Sequence, residues 1–213
     1  MDGVLPSVAA PEREAARRLS APALAKGMQP AALHAYTDQS GAPLYWRIRC
    51  KHPVSGEKWI RPMWFDGERF AIGEPTHPEA GKPLYRLHDL ATASPERTVV
   101  LVEGESCADR LAERGLIATT SGSSTSAKDA DWTPLAGRSV VIWPDADPQG
   151  RRYAEDACAR LRGIGCTVRL VDVGALGLPL KGDAVDWLAE HPAATPDDVL
   201  GLPMLAEAAS SNT

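Results

Sequence analysis

The sequence predicts an α/β protein: a parallel sheet flanked by helices, preceded by a small antiparallel β-rich domain. Three observations carry this. From residue 98 onward, short apolar runs alternate with stretches of helical periodicity, the pattern of β-α units. Residues 31–76 instead alternate polar and apolar side chains between turn-forming dipeptides, as antiparallel strands do. Finally, the apolar run SVVIW stops at PDADPQG, so two carboxylates, Asp145 and Asp147, stand at the carboxyl end of a buried strand. That edge is where open α/β sheets bind their ligands.

The totals set bounds. The chain has 213 residues, 44% of them hydrophobic and 24% charged, values ordinary for a globular protein. No apolar run is long enough to span a membrane, and residues 1–10 lack the basic start and apolar core of a secretory signal. The four cysteines are scattered, with no C-x-x-C, which argues against a disulfide framework or a zinc knuckle and for a reducing, cytoplasmic location. The net charge of -5 is uneven: residues 1–98 carry 13 basic and 11 acidic side chains, the remainder 10 and 17. An acidic half repels a phosphate backbone unless cations intervene, so the charge alone does not exclude a nucleic-acid partner.

Residues 1–30 are rich in Ala and Pro and show no wide apolar face, which predicts a weakly ordered arm. The small β-rich domain is expected over residues 31–97. Its strands fall at 33–37, 43–50, 58–65 and 69–72, with turns at Asp38-Gln39-Ser40-Gly41 and Asp66-Gly67. Pro62 inside the third of these predicts an edge strand or a bulge. The long strands carry Arg47, Arg49, Lys51, Lys58 and Arg61, with Tyr45, Trp46, Trp59 and Trp64 interleaved. Cations that track phosphates and rings that stack bases make a single-strand platform; the other reading places the tryptophans in the core. Residues 84–90 predict a short helix. None of the five histidines has metal-ligand spacing relative to another.

The α/β domain is expected over residues 98–209, with a frayed tail at 210–213. Strands are predicted at 98–102, 116–119, 139–143 and 167–171. Helices are predicted at 105–114, closed by Gly115, at 149–162, at 183–190 and at 196–209, with a shorter one at 131–135. A polar Gly/Ser loop, TSGSSTSA, follows the second strand.

Three acidic groups then share one expected location. Glu103 ends the first strand of this sheet, Asp145 and Asp147 end the third, and Asp183 and Asp186 open the helix after the fourth. If the first and third strands are neighbours, the acids converge. Carboxylates in a shared crevice repel unless a cation lies between them, and all-oxygen ligands suit Mg²⁺, with Mn²⁺ as a substitute. Metal-assisted phosphoryl or nucleotidyl transfer fits such a site. The competing reading makes the same acids turn formers and helix caps.

The stretches VVLVEGESCADRL, VVIWPDADPQG and LKGDAVDWL, taken in order, resemble the toprim domain of primases, topoisomerases and some nucleases. The resemblance covers residues 98–191. With GEPTHPEAGKPLYRLHDL upstream it is most similar to primase-like proteins of phages, plasmids and integrated mobile elements. It implies that Glu103 is a general acid/base that also meets metal, that Asp145 and Asp147 bind metal, and that Asp183 or Asp186 is the third acidic position. Gly104 is then expected to permit a tight turn. Ser121, Gly122 and Lys128 are candidates to hold phosphate, with a plain surface loop as the alternative.

The implied function is a Mg²⁺-dependent primase-like nucleotidyltransferase. It makes primers from nucleoside triphosphates on single-stranded DNA, beside a separate replicative helicase. The alternatives are a toprim nuclease hydrolysing phosphodiesters and a non-catalytic nucleic-acid-binding replication module. No P-loop is present, so no helicase motor is expected in this sequence. A phosphatase of the D-x-D-x-T type is disfavoured because Gln149 stands in the Thr position.

Overall fold

The computed structural model describes residues 10–123 and 125–206. The described residues divide into two compact units, those up to 36 with 43–76, and 37–42 with those from 77 onward.

The first unit begins with α1 (Pro11–Leu19) and α2 (Ala21–Leu24), then β1 (Gln29–Thr37), β2 (Pro43–Lys51), β3 (Lys58–Phe65) and β4 (Phe70–Ile72). The sheet order is β1-β2-β3-β4, with β2–β3 and β3–β4 antiparallel. The weakly ordered arm expected over residues 1–30 is corrected for residues 10–30. α1 has Pro11 in its first turn, Glu12 and Glu14 beside the N-terminus, and Arg17 and Arg18 in the last turn. This arrangement suits both the backbone and the helix dipole. Its buried face is made of Ala15 and Ala16, which join Ala23, Met28, Ile48, Cys50 and Met63 in the core. Alanines carry little hydrophobicity, so periodicity did not reveal the face; their small size lets a helix lie close on a sheet.

Pro62 is also corrected: β3 is an interior strand, and its pairing with β2 runs unbroken from Trp46↔Met63 to Lys51↔Lys58. The imino side of Pro62 is the side of its own carbonyl, which accepts the Gly73 N–H at 3.0 Å just past the end of β4. The missing donor therefore faces the end of a short strand, and no bond to β2 is lost.

The second unit contains α3 (Leu87–Thr92), β5 (Val99–Val102), α4 (Glu105–Ala112), β6 (Ile117–Thr119), β7 (Ser139–Trp143), α5 (Pro148–Gly163), β8 (Thr167–Leu170), α6 (Ala184–Glu190) and α7 (Pro196–Leu200). Its four strands are all parallel, in the order β6-β5-β7-β8. Continuous apolar runs such as Val99–Val102, buried at every position, are what a sheet covered on both sides demands. Val99, Leu101, Val140, Ile142 and Val168 pack with Leu87 and Leu90 of α3 and with Tyr153, Ala154, Ala157 and Leu161 of α5. By strand alternation the opposite face carries Val100, Val141 and Trp143, and Trp143 meets Trp187 of α6 edge-on at 5.6 Å.

The helix expected at 196–209 ends at Leu200. The chain then returns beside β8, pairing Met204 with Val171 and donating the Leu205 N–H to Leu170 O at 2.8 Å. This covers an open sheet edge. Residues 207–209 and the tail at 210–213 lie outside the described residues. Among the described residues, no helix is long and apolar enough to cross a membrane.

Candidate functional site: an acidic rim at the carboxyl end of the parallel sheet

The condition for convergence is met: β5 and β7 are adjacent and in register, with Val102 opposite Trp143. Glu103 and Asp145 therefore leave the sheet at the same end. Glu103 is 8% exposed, and its Oε1 accepts the Asp145 N–H at 3.0 Å. Asp147 N-caps α5, its Oδ1 accepting from the backbone of Gln149 and Gly150, each at 2.8 Å. The helix begins at Pro148, one residue before the expected start at 149.

Gly150 is required by close approach. A Cβ there would lie 2.3 Å from Asp145 O, 2.6 Å from Glu103 Oε1 and 2.9 Å from Asp145 N. The first turn of α5 thus rests directly on the D-x-D backbone and the Glu103 carboxylate. Gly104 behaves differently from its expectation. It is extended (φ -136°, ψ 153°), an added Cβ would meet nothing within 4 Å, and no tight turn is present.

The third acidic group is brought in by backbone. Ala146, between the two aspartates, donates to Gly182 O at 2.8 Å and accepts from Lys181 N at 3.1 Å. Lys181 is held in the left-handed region (φ 67°) to make this junction. Asp183 follows at once and N-caps α6, its Oδ1 accepting from Val185 N at 2.7 Å and Asp186 N at 3.1 Å. Asp186 completes a capping box by accepting the Asp183 N–H at 3.0 Å. Both aspartates thus cap α6, and it is the charge of Asp183 that acts on Glu103.

Electrostatics report the same clustering. Burial first, then the charges of Asp147 and Asp183, push the Glu103 carboxyl up, against the opposing pull of the Asp145 N–H. Burial, with Asp183 and Asp145 next, pushes the Cys107 thiol well above its ordinary value. Glu103, Asp147 and Asp183 form no ion pair with Lys or Arg among the described residues. No three His, Cys, Asp or Glu among these residues stand close enough to form a ready cage for a metal ion. Mg²⁺ does not require one: it keeps several waters and is typically held by one or two carboxylates plus substrate phosphates. An acidic rim with mutually repelling carboxylates fits that mode of binding.

The Gly/Ser loop follows β6 at the same end of the sheet. Ser121 is buried, with its Oγ 3.1 Å from the Tyr153 hydroxyl and 3.0 Å from Ser126 Oγ. Gly122 donates its N–H to Thr120 Oγ1 at 2.9 Å. Both groups are engaged within the fold, whereas Lys128 is exposed. Sequence reasoning missed Tyr153, which looks like one more apolar position on the inner stripe of α5. It also missed the junction through Ala146, which is made entirely of backbone.

In the first unit, the β2–β3 register sets Arg47, Arg49, Lys51 and Lys58 on one face and Arg61 on the other. The expected stripe of five cations is therefore four. Arg61 lies over Trp59, 5.5 Å from the ring centroid. Tyr45 is buried and stacked on Tyr36 at 4.4 Å, and Trp46 and Trp59 pack against the core. Trp46 and Trp59 thus follow the second reading of the sequence, whereas Trp64, next to Met63 in β3, is half-buried on the face that carries the four cations.

No protein-family model and no curated protein matches the chain. Among the solved structures that are similar to it are two primases. One is the Aquifex aeolicus primase (zinc binding and RNA polymerase domains), at 16% identity and a TM-score of 0.47, over 78% of this chain and 41% of that one. The other is a DnaG primase catalytic domain bound to ssDNA, at 18% identity and a TM-score of 0.43, over 74% of this chain and 48% of that one. The chain is similar to less than half the length of either.

Proposed function

We propose that this protein is a divalent-metal-dependent, primase-like nucleotidyltransferase that acts on single-stranded DNA. The observation that carries the reading is the buried Glu103 carboxylate held under the D-x-D turn, with Asp183 joined to that turn through Ala146. Asp145, Asp147 and Asp183 would hold Mg²⁺ or Mn²⁺, which when bound supplies charge neutralisation at the transferring phosphate. Glu103 has the elevated proton affinity of a general base. In primer extension a 3′-oxygen attacks the α-phosphorus of a nucleoside triphosphate, pyrophosphate leaves, and the hydroxyl proton passes to Glu103. Arg47, Arg49, Lys51 and Lys58 share one sheet face and would track the phosphates of the template. The motif resemblance adds the setting: replication of a phage or mobile element beside a separate helicase.

The test is primer synthesis from nucleoside triphosphates on single-stranded templates with Mg²⁺ or Mn²⁺. Activity in the wild type that is lost in Glu103→Gln and Asp145→Asn is expected. Cleavage of labelled DNA without added nucleotides, and no primer, would transfer the same acids to a nuclease. No product of either kind would leave only a binding role.

A further inference from the structure

The described residues of the Gly/Ser loop, 120–123 and 125–127, are tied to the acidic rim by a largely buried chain of hydroxyl groups that the catalytic reading does not use. The parallel β5–β6 pairing ends at Leu101 opposite Thr119, so the chain leaves β6 towards Ser121 at the same rim where β5 gives way to Glu103. Ser121 Oγ lies 3.1 Å from the Tyr153 hydroxyl, which also reaches the carbonyl of Val102, the residue before Glu103, at 3.4 Å. On its other side Ser121 meets Ser126 Oγ at 3.0 Å. Ser126 in turn lies 2.7 Å from Ser123 O and accepts the Ser123 N–H at 2.9 Å. Tyr153 is 1% exposed and Ser121 4%. Burial raises the phenol to about 12, so the hydroxyl keeps its proton at every working pH. α5 thus carries the Asp147 cap at its start and, nearly two turns on, the group that grips the loop.

We propose that Tyr153 is a positioning residue: its hydroxyl latches the Gly/Ser loop to α5 and the end of β5, fixing that loop as one wall of the phosphate site beside Glu103. The assignment of that wall to phosphate rests on the nucleotidyl-transfer reading; the latch itself does not. Ser121, which the sequence offered as a phosphate ligand, is a strut in this arrangement. The substrate-facing part of the loop is what the strut holds in place.

Two variants test it. Tyr153→Phe keeps the ring in the core and removes only the hydroxyl; Ser126→Ala cuts the chain at the far end. Loss of one neutral hydrogen bond corresponds to about a fivefold change in a local equilibrium. Amide exchange across residues 121–123 and 125–127 should therefore accelerate by at least about that factor in each variant, since the Tyr153 hydroxyl makes two such contacts and Ser126 Oγ three, while the amides of β5 and β7 stay unchanged. In primer synthesis, KM for the nucleotide should rise by a similar factor at nearly constant kcat, a split that general loss of folded enzyme does not produce. Unchanged loop exchange in Tyr153→Phe, whatever Ser126→Ala does, would overturn the latch. Accelerated exchange with unchanged KM in an active enzyme would overturn the phosphate wall. A wild type that makes no primer would remove the nucleotidyl-transfer reading, and the phosphate wall with it, and leave exchange alone to decide the latch.

Discussion

Two Gly→Ala substitutions in one helix should move stability in opposite directions. At Gly150 the new methyl would stand 2.3 Å from Asp145 O and 2.6 Å from Glu103 Oε1. The nearest atom is backbone and cannot swing aside, so the first turn of α5 must lift. Forcing an extra methyl into a packed site costs about 1–3 kcal/mol, and this contact belongs at the upper end. Alanine returns about 1 kcal/mol of helix propensity. The net expectation for Gly150→Ala is a loss of roughly 2 kcal/mol, or about 4–8 °C in Tm for a chain of this size. Gly163 ends the same helix, and an added Cβ there meets nothing within 4 Å. Gly163→Ala should gain up to about 1 kcal/mol. Urea unfolding of the two variants side by side reads the difference directly. If Gly150→Ala is as stable as Gly163→Ala, α5 does not rest on the D-x-D backbone, and the geometry assigned to Glu103 fails with it.

Other expectations follow from the same groups. Asp147→Ala should cost about 1 kcal/mol through loss of the α5 cap, whereas Asp147→Asn, a good cap, should leave stability nearly unchanged. Both should lose metal-dependent activity, which separates the capping role from the charge in a melting curve and a primer assay. Glu103 is an acid with a raised folded-state pKa, so its ionisation opposes folding, absent at low pH and growing as pH rises above the ordinary carboxylate range. Glu103→Gln should therefore raise Tm near neutral pH, and the gain should vanish in acid; a gain independent of pH would refute the assignment. The Arg138 guanidinium is buried and donates to Leu90 O at 2.9 Å and Ser94 O at 2.8 Å. Arg138→Ala should cost about 2–4 kcal/mol in denaturant unfolding, since it orphans two carbonyls.

How much of this was legible in the sequence depended on the kind of signal. The strands of the parallel sheet were readable because each is an apolar run closed by a polar or Pro stop, and β7 fell on residues 139–143 as expected. The order of the acids along the chain was readable too, since strand ends mark one rim once the sheet is parallel. The helix α1 was not readable, because an alanine face carries almost no hydrophobic signal. Pro62 misled because what matters is where its missing N–H would have pointed, and that depends on where β4 stops. The closeness of Gly150 to Glu103 and the Ala146 junction are properties of backbone meeting backbone, which no side-chain pattern encodes. Tyr153 was hidden for a related reason: periodicity counts its ring as core and says nothing of its hydroxyl.

The sequence left the acids open between caps and metal ligands, and the structure shows why those readings need not compete. Asp147 and Asp183 each use Oδ1 to accept two backbone N–H groups, but a carboxylate offers about four lone-pair sites across its two oxygens. Capping fixes the orientation of the group and leaves acceptor capacity on a rim that already carries Glu103. A ligand held by its own helix needs no further support to stay in place, which is the preorganisation a phosphoryl-transfer site requires. Charge is then the only thing that distinguishes a cap from a ligand here. That is why replacing aspartate by asparagine, which keeps the cap and removes the charge, is more informative at these positions than truncation to alanine.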